Sequence, residues 1–284
     1  MSTDSAPQTG QSTVRVEIDT ENRIGWVYFN RPDKRNAMNP TLNREMFVAL
    51  DELESNDEVS VVVLTGAGDA FSAGMDLKEY FRETDGKPRS VQHRVRNEGT
   101  NWQYRKLFNY AKPTIAMVNG WCFGGAFVPL VSCDLAIAAD DAVFGLSEVN
   151  WGVTPGNLVT RALAETIPTR DAMFYIMTGQ HFDGRRASEM RLVNESVPAD
   201  KLRERTIEIA QQLNSLSQWV VRGAKIGFRH SRLMSWEAAE DYLYGKHDQA
   251  ILFDTEARAQ GMNQFLDDKT YRPGLGTYAA TPAE

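Results

Sequence analysis

Two unbroken apolar runs limit most strongly what this chain can fold into. Residues 59–65 read VSVVVLT and residues 113–118 read PTIAMV. Neither run alternates between apolar and polar positions, so each is expected to be a buried strand, without a wet face. Residues 14–18 (VRVEI) do alternate and predict a half-exposed strand; 24–29 (IGWVYF) and 135–138 (LAIA) add two more. Helical patterns fill the gaps. Asn39 or Thr41 is placed to cap a helix in which Leu42, Met46, Leu50 and Leu53 share one face. A second helix is expected over about 90–110, and a third from the glycine pair at 124–125 to Val131. Residues 82–90 are charged and loop-like, and FGLSEVNWGVTPG (144–156) is irregular. From residue 157 onward the pattern is mostly helical.

Buried strands alternating with helices, followed by a helical last third, define an α/β domain with a helical C-terminal appendage. The expected division is a core over 14–205 and a helical region over 206–284. Residues 1–13 are polar and rich in Ser, Thr, Pro and Gly, and are expected to form a disordered tail. They have neither a basic start nor an apolar stretch, which argues against a signal peptide. No apolar run approaches the length of a membrane span.

A net charge of −7 argues against nucleic acid as a partner, though it leaves room for one local basic pocket. Two cysteines, Cys122 and Cys133, both in apolar surroundings, form no disulfide framework and fit a reducing cytoplasm.

Two glycine turns, SAGMD (72–76) and FGGA (123–126), each follow a strand and precede a helix. At such junctions the first helical N–H groups have no intrahelical acceptor and carry the positive end of the helix dipole. Two readings are open: the glycines serve only tight turns, or the two turns face each other and form a two-donor oxyanion hole. Neither turn matches a phosphate-binding fingerprint. Glu148 lies in a segment of little charge, beside Phe144, Leu146, Val149 and Trp151. It is either a solvated loop residue or a carboxyl group whose pKa is raised by apolar surroundings and which is fit to shuttle protons. Lys34 and Arg35 are either a solvated pair or phosphate contacts. Tyr242 and Tyr244 lie on a helix, where core packing is the default role. His93, His181, His230 and His247 are widely spaced in polar surroundings. No metal-ligand spacing and no G-x-S-x-G elbow occurs.

The segments NRPDKRNAM, FSAGMDLKEY, NGWCFGGAF and FGLSEVNWGVTPG, in this order and spacing, resemble the crotonase (enoyl-CoA hydratase/isomerase) superfamily over about residues 14–270. Within it, AGMDLKEYFRE, KPTIAMVNGWCFGG, YIMTG, LVNESVP, DYLY and QFLDDK are similar to the p-hydroxycinnamoyl-CoA hydratase-lyases. The resemblance implies a spiral of ββα turns with a C-terminal helical region used in trimer assembly, and a homo-oligomer built as a dimer of trimers. It implies backbone N–H donors at Met75 and Gly125, and Glu148 as the single acid/base. It implies coenzyme A contacts at Lys34, Arg35, Ala37, Ala73, Gly74, Asp76 and Leu77. Contacts to the acyl group are implied at Tyr80, Tyr244, Ser147, Trp151 and Val128. The implied reaction is hydration and retro-aldol cleavage of a 4-hydroxycinnamoyl-CoA, such as feruloyl-CoA to vanillin and acetyl-CoA. No metal or redox cofactor is implied; coenzyme A is part of the substrate.

The chain also departs from its relatives. Simple enoyl-CoA hydratases carry a glutamate where this chain has Val128, which transfers no proton. Hydratase-lyases tend to have serine there, and a third glycine in place of Ala126. The alternatives are an aliphatic enoyl-CoA hydratase or isomerase, a CoA-thioester hydrolase and, more remotely, a non-catalytic scaffold.

Overall fold

Each buried run becomes a strand of one sheet and hands the chain to a second sheet a few residues later. The computed structural model describes residues 12–156 and 158–272. Among these, six strands form a large sheet: β1 (Val14–Asp19), β2 (Ile24–Phe29), β3 (Val61–Gly66), β5 (Thr114–Val118), β7 (Leu135–Ala139) and β10 (Glu195–Val197), in that spatial order. β1 pairs antiparallel with β2; every other pairing in this sheet is parallel. A small sheet holds β4 (Ala70–Ser72), β6 (Trp121–Phe123), β8 (Val143–Gly145) and β9 (His181–Asp183). β4, β6 and β8 run parallel, and β9 closes the edge antiparallel.

The chain therefore winds. β3 passes to β4, β5 to β6 and β7 to β8, each turn giving one strand to each sheet. β2, β3 and β5 are buried throughout, as expected of strands covered on both faces. Trp26, Phe29, Leu64 and Ile115 belong to one continuous core with the helix Pro40–Glu54. Asn39 rather than Thr41 caps that helix, its Oδ1 accepting from the Leu42 N–H at 2.8 Å. The expected face of Leu42, Met46, Leu50 and Leu53 is buried.

Several expectations need correction. Most of the expected tail, 1–13, lies outside the described residues, but Ser12 and Thr13 are tied down by Glu45, whose Oε2 accepts from both hydroxyls. The stretch 82–90 is largely helical: a π-helical turn Leu77–Arg82 runs into Glu83–Asp85, and the next helix starts at Arg89. The helix placed over 90–110 is Arg89–Thr100, followed by a π-helical turn, Asn101–Lys106. The three-residue strands β4, β6 and β8 have no readable period of their own, and β9 and β10 interrupt the region expected to be mostly helical. The helix Leu202–Asn214 runs through the expected boundary at 205/206. It buries Leu202, Thr206 and Ala210, so it packs as part of the core.

Beyond it, the helix Gln218–Ser231 is held to the core by a largely buried ionic knot. Asp134 Oδ2 accepts from the Thr114 N–H at 2.7 Å, the Thr114 hydroxyl at 2.9 Å and the Lys225 ammonium at 2.7 Å. Its Oδ1 lies 3.0 Å from the Arg229 guanidinium, which also donates to the carbonyls of Phe108 and Ser132. Burial pushes the Lys225 pKa down, against the opposing pull of Asp134. Removing one member of a buried pair strands the other charge. Asp134→Ala is expected to destabilise the protein by about 3–5 kcal/mol in denaturant unfolding.

Candidate active site

Three short parallel strands end side by side, and each is followed by one element of the site. Ser72 of β4 pairs with Cys122 of β6, and Phe123 of β6 pairs with Gly145 of β8. The Gly74–Met75 peptide follows β4, the Gly124–Gly125 pair follows β6, and Glu148 follows β8 on a 3₁₀ turn, Ser147–Trp151. This is the carboxyl edge of a parallel sheet, where ligands commonly bind.

The two glycine turns do face each other. Gly74 has φ +88°, and a β-carbon on it would lie 2.6 Å from the Phe123 carbonyl oxygen and 3.1 Å from the Gly125 nitrogen. A β-carbon on Gly125 would lie 2.9 Å from Met75 Cγ. Met75 is bridged to Met38: the Met38 N–H donates to the Gly74 carbonyl at 2.7 Å, and the Asp76 N–H to the Met38 carbonyl at 3.0 Å. In a parallel bridge these flanking bonds leave the central residue's own N–H pointing away from the partner strand. Gly125 is the second residue of the 3₁₀ turn Gly124–Ala126, where an N–H has no intrahelical acceptor.

Glu148 stands over the second turn. Gly124 has φ +50°, and a β-carbon there would lie 2.9 Å from Glu148 Oε1. Glu148 Oε2 is buried without a hydrogen-bond partner among the described residues. Burial therefore pushes the carboxyl group's pKa up.

The residues expected to meet coenzyme A gather along the same edge. The Ala73 N–H donates to the Arg35 carbonyl at 2.8 Å, so the segments 34–38 and 73–77 run together. Lys34 and Leu77 are exposed, and Ala37 and Ala73 are half-buried. The Arg35 guanidinium stacks over Trp121, 4.3 Å from its ring centre. Asp76 is engaged structurally: it accepts from the Lys78 and Glu79 N–H groups and pairs with Arg31 at 2.9 Å. Arg31 was not singled out in the sequence, yet it also bonds Glu79 at 2.7 Å and the Ala37 carbonyl at 2.6 Å, locking the two segments. Its place in NRPDKRNAM, next to the Lys34–Arg35 pair, was the available signal.

The residues expected to meet the acyl group are more scattered, Ser147 and Trp151 sharing the turn that carries Glu148. Tyr80 is buried on the π-helical turn, and desolvation raises its pKa against a smaller opposing effect from Arg96. Tyr244 is 65% exposed on the helix Trp236–Phe253, and no hydrogen bond or ring contact joins it to Glu148. Trp151 is exposed and Ser147 half-buried. Val128 is buried and lines a cavity of about 1010 Å³ shared with Leu158, Phe228 and Lys225; Glu148, Met75 and Gly125 are not in its lining. The lysine of that cavity is already paired with Asp134. Among the described residues no cluster of His, Cys, Asp and Glu has the makings of a metal site, and no helix is long and apolar enough to cross a membrane.

The fold is of the crotonase class, and the comparisons with known proteins place the chain within it. It belongs to the enoyl-CoA hydratase/isomerase family, whose model matches residues 19–272. It is 59% identical to a hydroxycinnamoyl-CoA hydratase-lyase of Pseudomonas fluorescens, over 94% of this chain and 96% of that protein. It is 31% identical to a probable enoyl-CoA hydratase of Mycobacterium bovis, over 89% of this chain and 95% of the other. Among solved structures it is similar to an enoyl-CoA hydratase from Bacillus anthracis, with a TM-score of 0.82 and 26% identity, covering 96% of this chain and all of that one.

Two outcomes follow for variants. Gly124→Ala puts a methyl group against a mobile carboxylate and a residue into a left-handed conformation at a cost of about 1–2 kcal/mol. Gly74→Ala drives a methyl group into backbone and is expected to lose more stability in thermal unfolding. Glu148→Gln should stabilise the protein at neutral pH. The native carboxyl group holds its proton above the pH at which the unfolded one releases it, so native stability falls as pH rises through that interval. The gain should vanish in acid, below both pKa values, when melting is followed against pH.

Proposed function

We propose that this protein hydrates and cleaves 4-hydroxycinnamoyl-CoA thioesters, with feruloyl-CoA giving vanillin and acetyl-CoA. The observation that carries this reading is the 59% identity, over nearly the full length of both chains, to a hydroxycinnamoyl-CoA hydratase-lyase. The arrangement at the carboxyl edge supports it.

In the proposed mechanism the thioester oxygen lies between the N–H groups of Met75 and Gly125. Glu148 takes a proton from water as the hydroxide adds to Cβ, and then gives that proton to Cα, which leaves it a carboxylate again. Glu148 then removes the β-hydroxyl proton. The Cβ–O bond becomes a carbonyl, the Cα–Cβ bond breaks, and its electron pair passes into the thioester as an enolate. Glu148 returns the proton to that enolate at Cα, giving acetyl-CoA and restoring the carboxylate. Both halves build negative charge on the same oxygen, so one pair of donors serves both. The raised pKa of Glu148 suits a group that accepts and returns a proton near neutrality.

Lys34, Arg35, Ala37 and the 73–77 turn are the proposed contacts for the coenzyme A portion of the substrate, and no other cofactor is required. Tyr80 and Tyr244 are the proposed partners of the ring hydroxyl, with Ser147, Trp151 and Val128 shaping the acyl site. The C-terminal helices leave Trp236 91% and Leu252 72% exposed, which supports assembly into a homo-oligomer, a trimer or a dimer of trimers. The two buried thiols suit a cytoplasmic setting. Hydration of an aliphatic enoyl-CoA without cleavage is the second reading, favoured by the 31%-identical relative; Val128, in place of a second proton-transferring glutamate, weighs against it.

Purified protein given feruloyl-CoA is expected to release vanillin and acetyl-CoA, read by mass. Glu148→Gln should lower that rate by about 10²–10⁴-fold; unimpaired release would sink the assignment. Because Glu148 must be ionised to accept the proton, activity should fall as pH drops through its raised pKa. The acid limb of kcat/KM should then lie above the ordinary carboxylate range.

A further inference from the structure

Behind the two glycine turns, a buried glutamine faces two thioethers. Gln103 is fully buried on the π-helical turn Asn101–Lys106, next to the equally buried Trp102. Its amide nitrogen lies 3.6 Å from Met75 Sδ, 3.6 Å from Met38 Sδ and 3.5 Å from Asn43 Oδ1. The Trp102 indole N–H donates to the same Asn43 oxygen at 2.8 Å. On its other side the Met75 side chain presses on the second turn: a β-carbon at Gly125 would meet Met75 Cγ at 2.9 Å and Sδ at 3.2 Å. The Met75 thioether is thus held between the Gln103 amide and the Gly125 backbone.

An amide in an apolar interior is unfavourable unless it is hydrogen-bonded, so the Gln103 side chain is held in place by the partners it binds. Methionine, in turn, has three rotatable bonds and adapts its shape readily. Left unrestrained, the Met75 side chain would not set the distance between the turns that carry the Met75 and Gly125 N–H groups.

We infer that Gln103 is a positioning residue for the oxyanion hole: by binding the Met75 thioether it fixes the spacing of the two backbone donors. This rests on the reading that those donors receive the thioester oxygen.

The test uses Gln103→Met, which keeps the length and removes the amide, with Gln103→Leu as a second variant. Three readings are taken on each: kcat and KM for feruloyl-CoA, the thermal midpoint, and the ultraviolet enolate band of bound acetoacetyl-CoA titrated against pH. That titration reports how well the site stabilises a thioester enolate. In Gln103→Met, kcat should fall about tenfold, less than the 10²–10³ typical of losing a donor outright. KM should hold within about twofold, because uniform binding is untouched. The enolate of the bound probe should form only at higher pH. In a Met75→Leu background, which keeps the backbone N–H and removes the sulfur, Gln103→Met should add no further loss. A folded Gln103→Met protein with unchanged kcat and unchanged enolate titration overturns the assignment. So does a full additional loss in the Met75→Leu background. A wild-type protein that neither releases aldehyde nor ionises the probe overturns the functional reading itself.

Discussion

The parallel pairing of three strands only three residues long underlies the site. Ser72 to Cys122 and Phe123 to Gly145 are the pairings that bring the ends of β4, β6 and β8 to one edge. A slip of one residue would exchange faces along the slipped strand. It would also carry Gly125 or Glu148 away from Gly74. Strands this short cannot hold their own register. The large sheet holds it for them, because each is the continuation of a buried strand, β3, β5 or β7, fixed in the core.

Gly74, Gly124 and Gly125 make the close approach possible, each for a different reason. At Gly74 a side chain would strike the opposing backbone, and at Gly124 it would strike the carboxylate. At Gly125 it would strike the Met75 side chain. The outcome is a carboxyl group with one oxygen unpartnered among the described residues, beside two turns in close contact. Burial raises the pKa of that carboxyl group, so the same packing that costs stability tunes its chemistry.

Much of this was legible in the chain. The runs VSVVVLT and PTIAMV announced buried strands because burial on both faces removes the polar positions that would otherwise alternate. The two glycine turns and Glu148 were legible as candidates, since each has a chemical reason to be where it is. What could not be read was what depends on contact across sequence. β4, β6 and β8 are too short to show a period. The role of Arg31 rests on Asp76 and Glu79, more than forty residues away. Gln103 looks like an ordinary polar helix residue until the π-helical turn directs it inward. The helix Leu202–Asn214 belongs with the core because of what Leu202, Thr206 and Ala210 touch, which composition does not reveal.

The winding path has one more consequence. Every element of the candidate site is delivered by a different turn of the spiral, and none is local to another in sequence. No single turn of the spiral carries the site: the Gly74–Met75 peptide, the Gly124–Gly125 pair and Glu148 come from three successive turns. Its geometry is therefore a property of the winding and requires those turns to be stacked together.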